Sequence, residues 1–282
     1  MIKKIAWVTD SAPLLDKEFI AKYNIHVLPL NIVFEEGPLK ETVDMTHGEF
    51  YEKLRMAKKH PKTSQPVFGD MVDLYKNLKE QGYDCAIAVH LSKFLSGTYE
   101  SAFIAAEQAD FKVYPIDSKI GSFPMAKMIE VGKAMEAEGS DVEEIVNRLD
   151  DMTNNSELSF IPSSLAQLHK SGRVSGTAAF LSNLLKINLV ITFDNGKIVM
   201  KEKVRGNKRA RQYVKNLLQA DLAKASIPEV AIINCNNEPD AQAWKSELET
   251  EFPDIRFIIS PLSAAVGVHA GEGTTGLSWV RY

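Results

Sequence analysis

A chain of 282 residues, 45% apolar and 25% charged, is long enough to bury a large core and reads as two globular domains. Its 33 basic and 37 acidic residues leave a formal charge of -4 with no long basic block, which argues against nucleic acid or an anionic membrane as the main partner. Cys85 and Cys235 make no disulfide framework, no apolar run reaches membrane-spanning length, and the N-terminus turns polar too early for a signal peptide, so cytoplasmic residence is the expectation.

Residues 2–8 read as a first strand ending at Thr9-Asp10-Ser11, the end of the strands where open α/β sheets bind ligands. Asp10 could hydrogen-bond loop amides, orient a ligand or take a metal, although no second acid-rich loop completes a Mg²⁺ site. A helix over 14–23 and one strand over 25–34 follow, with Pro29 marking an edge or bulge. After a turn at Glu35-Glu36-Gly37-Pro38, a short amphipathic helix over 48–57 is capped by Thr46 or His47. Lys62-Thr63-Ser64-Gln65-Pro66 reads as a loop before a helix over 68–81. Its two adjacent hydroxyls suit one oxyanion, or equally a turn cap.

The apolar run from Cys85 reads as a buried strand, and a polar loop then leads to Ser96-Gly97-Thr98, where a helix to Ala109 opens. Backbone N–H groups at such a start lack helical partners and can receive an anion. Ser96, Thr98 and Ser101 add hydroxyls there, although an N-cap with small packing residues accounts for them as well. A strand over 112–116 precedes Asp117-Ser118-Lys119 and Gly121-Ser122, then helices over 123–136, with Pro124 in the first turn, and 142–152. This alternation predicts a mostly parallel sheet flanked by helices for residues 1–155. The glycines form neither a dinucleotide fingerprint nor a P-loop.

Residues 156–282 have another texture and read as a smaller α/β domain of mixed sheet. A strand over 156–161 and a short helix over 165–168 lead to Lys170-Ser171-Gly172-Arg173-Val174-Ser175. The apolar segment 181–185 precedes a strand over 187–193, and Asn195-Gly196 signals a hairpin with a return strand over 197–204. A long amphipathic helix runs from 207 to about 223, and strands over 230–235 and 255–259 are separated by a helix over 242–249. His269-Ala270-Gly271-Glu272-Gly273 reads as a loop before a last strand over 277–280. Arg173 offers a fork suited to carboxylate or phosphate, and His269 an imidazole able to donate to an oxygen at neutral pH. A structural role remains open for both. No residues spaced around His269 suggest a metal site, and Ser96 lacks the nucleophile elbow of a hydrolase. The set suits gripping an anion better than acyl transfer.

Val8-Thr9-Asp10-Ser11, Thr63-Ser64-Gln65-Pro66, Leu95-Ser96-Gly97-Thr98-Tyr99-Glu100-Ser101-Ala102, Asp117-Ser118, Ser171-Gly172-Arg173-Val174-Ser175 and His269-Ala270-Gly271-Glu272-Gly273 resemble, in order, the signature blocks of the DegV family. These are bacterial fatty-acid-binding proteins that serve as the acyl-binding subunit of fatty acid kinase. The resemblance covers essentially the whole chain and implies a long-chain fatty acid in an apolar tunnel between two α/β domains, with no further cofactor. It implies Thr63 and Ser96 as direct carboxylate contacts, Ser64, Gly97 and Thr98 in support, and Arg173 and His269 completing the polar end. Asp10, Ser11 and Ser118 become supporting loop residues. It also implies a separate ATP-binding kinase subunit that phosphorylates the carboxylate, met through Arg205, Lys208 and Arg209, a run that equally fits a solvated helix face. On that model the chain itself is non-catalytic; no interface signal emerges from the sequence, so a monomer is the expectation, with transient membrane contact at most.

Departures from the family pattern are Val67-Phe68-Gly69 after Gln65-Pro66, Pro124 in place of a small residue, Asn188-Leu189 after Ile187, and Glu272 where proline is common. An acid so near a bound carboxylate is expected to point away from it. Two alternatives stay open: a kinase-independent fatty-acid carrier or regulator, and a serine hydrolase using Ser96 with His269.

Overall fold

The alternation of the first half builds a parallel sheet from β1 (Ile5–Asp10), β2 (Ile25–Leu28), β6 (Cys85–His90) and β7 (Val113–Asp117), in the order β2-β1-β6-β7. The computed structural model describes residues 3–174 and 187–282. Successive side chains of a strand point to opposite faces, and the sequence exploits this with different residue sizes. Ala6, Val8, Ala86 and Ala88 share one face with α3 (Phe68–Glu80) and α4 (Thr98–Gln108), where small residues let the helices approach closely. Ile5, Trp7, Ile87 and Val89 share the other with α5 (Phe123–Ala137) and α6 (Val142–Asn154). Both faces are therefore covered, the usual condition of a parallel sheet.

The expected strand over 25–34 is two strands in two sheets. Pro29 has no N–H to continue the ladder, so the chain leaves β2 there and re-forms as β3 (Asn31–Phe34). With β4 (Gly37–Lys40) and β5 (Lys62–Ser64), β3 makes a small antiparallel sheet in the order β4-β3-β5. Gly37-Pro38, read as part of a turn, and 62–64, read as part of a loop, thus lie in strands. Helix α1 spans Lys17–Tyr23 and begins later than expected, because Leu14 has φ 46 and Asp16 accepts from the Phe19 amide as N-cap. Helix α2 (His47–Met56) starts with a capping box of Thr46 and Glu49.

The second half contributes β8 (Ser156–Ile161), β9 (Ile187–Asp194), β10 (Lys197–Arg205), β11 (Glu229–Asn234), β12 (Arg256–Pro261) and β13 (Thr275–Val280). They build a mixed sheet in the order β10-β9-β8-β13-β11-β12. Strands β11 and β12 pair parallel and the remaining neighbours antiparallel. Val190, Ile232, Leu277 and Trp279 lie on the face covered by α8 (Asn207–Leu222) and α9 (Glu238–Glu251), through Val214, Leu218, Trp244 and Leu248. Pro239 sits in the first turn of α9, which starts earlier than residue 242 because proline tolerates that position. Leu158, Phe160, Leu189, Ile191 and Ile233 lie on the opposite face and pack into the core of the first half.

Two short helices complete the described chain, α7 (Leu165–Lys170) and α10 (Ala264–Ala270). Helix α10 replaces an expected loop. The segment 181–185 and Ser175 of the Ser-Gly-Arg block lie outside the described residues. Cys85 and Cys235 are free and buried. Among the described residues no helix is long and apolar enough to cross a membrane.

Candidate functional site

A cavity of about 390 Å³ is lined from both halves of the chain, within the ~300–1,000 Å³ range of small-molecule pockets. Leu30, Leu91 and Leu95 contribute apolar wall from the first half, and Leu158, Phe160, Phe193, Ile198, Leu262 and Val266 from the second. Phe193 and Ile198 are cross-strand partners on the β9–β10 hairpin, so one hairpin presents both. Its turn is fixed against the first half by Ser92 Oγ, which donates to the Gly196 carbonyl at 2.7 Å. The polar lining is Thr63, Ser64, Gln65, Ser96, Ser122, Ser171, Arg173 and His269, with Gly97 beside them.

These polar groups reach one another through short contacts. Thr63 Oγ1 lies 2.7 Å from His269 Nε2, which joins β5 to the last turn of α10. Ser96 Oγ lies 2.7 Å from Thr98 Oγ1, and Thr98 is wholly buried behind it rather than in the lining. Gln65 crosses Gly97 so closely that a Cβ there would meet its Oε1 at 2.2 Å, while Gln65 Nε2 donates to Ser101 Oγ at 2.6 Å. Glycine at 97 therefore lets the two hydroxyl blocks interlock.

Arg173 is half-buried at the cavity, and its Nη1 donates to the Ser171 carbonyl at 2.6 Å. No carboxylate pairs with it among the described residues, and burial pulls its pKa below the ordinary value. His269 is held at about 3, first by burial and then by the Arg173 and His60 charges, so its ring is neutral at neutral pH. With the proton on Nε2, the ring donates to Thr63 and leaves the threonine O–H free to donate into the cavity. Thr98 can likewise donate to Ser96 and free the serine O–H. Two oriented hydroxyls and a cation with no counter-ion among the described residues are the donor set a carboxylate requires when it leaves water.

Asp10, Ser11 and Ser118 lie beneath the lining. Asp10 is fully buried and accepts from the amides of Ala12 and Leu91, both at 2.9 Å, which anchors the loop leading to Ser96. Ser118 Oγ donates to the Ile120 carbonyl at 3.0 Å, holding the turn before Ser122. Ser11 donates to Glu41 at 2.5 Å. Arg205, Lys208 and Arg209 are exposed, lie outside the lining, and form no ion pair with described residues. Glu272 also lies outside it, bound to Arg55 Nη2 at 2.5 Å and Asn236 Nδ2 at 2.6 Å. Ser96 and His269 bond to different threonines, so no Ser–His catalytic pair is formed. Among the described residues no cluster of three His, Cys, Asp or Glu could hold a metal.

Sequence reasoning passed over Ser171, Val266 and Glu41. Glu41 is 2% exposed, and burial lifts its carboxyl to about 7 against hydrogen bonds that lower it. Ser171 belonged to a noted block, and the signal for its place was adjacency to Arg173. The other two have no local signature.

Fold and site define an α/β protein whose two large sheets share a largely apolar cavity with Arg173 in its wall. The chain belongs to the DegV family: the family model described as uncharacterised protein, DegV family, matches residues 4–282. It is 35% identical over 277 residues to protein DegV of Bacillus subtilis, covering 98% of each chain. It superposes with TM-score 0.90 on the crystal structure of the Bacillus subtilis DegV, a fatty acid binding protein, covering 99% of this chain and 100% of that one. A fatty acid binding DegV family protein from Streptococcus agalactiae is 26% identical with TM-score 0.92, covering 99% of both.

Proposed function

We propose that this protein binds one long-chain fatty acid, with the acyl chain in the cavity and the carboxylate against Thr63, Ser96, Arg173 and His269. Ser64, Gly97 and Thr98 support that end, and Asp10, Ser11 and Ser118 hold the loops. The single observation that carries the reading is Arg173, a half-buried guanidinium with no carboxylate partner among the described residues, set in an otherwise mainly apolar cavity. Such a cation costs desolvation free energy, and a bound anion offsets it. Each buried methylene of a ligand contributes about 0.8 kcal/mol, so apolar wall and cation together select an amphiphile. The fatty acid binding of the Bacillus subtilis and Streptococcus agalactiae relatives supports this reading.

In this reading the chain is a non-catalytic monomer of two domains, 1–155 and 156–282, that shields the acyl chain in the cytoplasm. A separate kinase subunit transfers the γ-phosphoryl of ATP to the exposed carboxylate oxygen, releasing ADP and forming the acyl phosphate. Arg205, Lys208 and Arg209 meet that partner. Their exposure and lack of ion pairs among the described residues suit an acidic docking surface.

Titration of delipidated protein with palmitate tests the binding step. Thr63→Ala and Ser96→Ala each weaken affinity several-fold, and the double variant more. Unchanged affinity in the double variant contradicts the carboxylate assignment. Reconstitution with a candidate kinase and ATP tests the second step, where charge reversal at Arg205, Lys208 and Arg209 abolishes acyl phosphate and spares palmitate binding. Loss of palmitate binding in that variant contradicts the docking role.

A further inference from the structure

Helix α10 carries His269, yet it has only seven residues and no amphipathic pattern of its own. Isolated helices of that length do not persist in water, so external contacts must fix its position. Those contacts come largely from the segment between β4 and β5. Glu41 Oε1 accepts from the Ala265 amide at 3.0 Å, at the N-terminal end. His60 Nε2 and Gln167 Nε2 each reach the Val268 carbonyl at 2.8 Å, at the other end. Beside the local Ser263 cap on the Val266 amide, an end group at each terminus of the helix is thus met by a distant side chain.

Glu41 is the deepest of these. Its second oxygen accepts from Ser11 Oγ, and that same hydroxyl accepts from the Leu30 amide at 3.0 Å. Glu41 N in turn donates to the Leu30 carbonyl at 2.9 Å. One side chain thereby ties the loop after β1, the start of β3 and the first turn of α10. Leu30 and Ala265 both line the cavity. A buried carboxyl group is costly unless its oxygens are hydrogen-bonded, and both oxygens of Glu41 are.

We propose that Glu41 is a positioning residue for the carboxylate end of the cavity, acting through α10 to hold His269 against Thr63. This rests on the fatty-acid reading above and assigns a role to a residue outside the lining. Glutamine at 41 retains both links, since its carbonyl accepts from Ala265 and its amide donates to Ser11. Leucine retains the shape and loses both.

Palmitate titration of delipidated protein tests this in a double-mutant cycle with His269→Ala. Glu41→Leu is expected to weaken binding at least tenfold, Glu41→Gln to restore it to within threefold of wild type. In the His269→Ala background, Glu41→Leu is expected to add less than twofold. Folded Glu41→Leu with wild-type affinity overturns the proposal, as do fully additive losses, while wild-type palmitate binding leaves the lipid reading standing. Failure of the wild type to bind palmitate instead sinks that reading itself. Should Glu41→Leu not fold, Ser11→Ala carries the same cycle: coupling to His269→Ala of at least threefold supports the role, and additivity overturns it.

Discussion

Both large sheets bury two faces but use them differently. The parallel sheet is closed on both sides by helices, α3 and α4 on its alanine face and α5 and α6 on its Ile–Trp face. The mixed sheet is closed by α8 and α9 on one side, and its other face meets the opposite half of the molecule, where Leu158, Phe160, Phe193 and Ile198 become cavity wall. A sheet face without its own helices is what makes room for a ligand. The fold gains stability from one face of the second sheet and a binding site from the other.

That division predicts that the two faces fail in different ways. On the helix face, Trp244→Ala is expected to lower unfolding free energy by ~3–5 kcal/mol in urea while leaving palmitate affinity of the folded protein unchanged. A parallel fall in affinity would erase the distinction between faces. At the cavity, Arg173→Gln is expected to do the reverse: lipid affinity falls ~10–100-fold, the ~1.5–3 kcal/mol of a hydrogen bond to a charged group, and stability without lipid is unchanged or raised. Marked destabilisation instead would make Arg173 a structural cation.

A smaller effect is expected at Gly97→Ala. The new methyl must displace Gln65, which is itself bonded to Ser101, so overpacking costs ~1–3 kcal/mol and weakens binding through Ser96. An unchanged melting temperature would show that Gln65 yields freely. The pH dependence sharpens the picture at the interface itself. His269 refuses below pH 6.5 a proton that the unfolded chain accepts, so its contribution to stability is full above pH 6.5 and is lost as pH falls toward 3. Glu41 keeps a proton that the unfolded chain releases above 4.5, so its contribution falls as pH rises from 4.5 to about 7. The two oppose each other between 4.5 and 6.5. Relative to wild type, His269→Gln is expected to turn the slope of stability with pH more negative there, and Glu41→Gln more positive. Identical slopes in all three proteins would contradict both assignments.

Elements with strong local signals were legible in the sequence. The strand Ser156–Ile161 and the Asn195-Gly196 hairpin are examples, because alternation and turn chemistry act over a few residues. Strands β4 and β5 were not, since three or four residues next to proline or lysine become strands only through pairing with β3. Helix α10 was hidden for a related reason: Ala264-Ala265-Val266-Gly267-Val268 carries no polar period, and beside the local Ser263 cap its ends are held by Glu41, His60 and Gln167 far along the chain. The hydroxyl, arginine and histidine blocks stood out as chemistry. Their convergence on one cavity depends on the long-range pairing of two sheets, which no local pattern encodes, and only the family resemblance anticipated it.

Occupancy by a fatty acid of the cavity shared by the two halves can be looked for in the protein itself. Native mass spectrometry of the protein as purified, followed by denaturation and lipid identification, tests it most directly. One fatty acid per chain is expected, depleted by delipidation, regained on adding palmitate, and more weakly held in Arg173→Gln. A protein that carries no fatty acid and takes up none when it is supplied would contradict it.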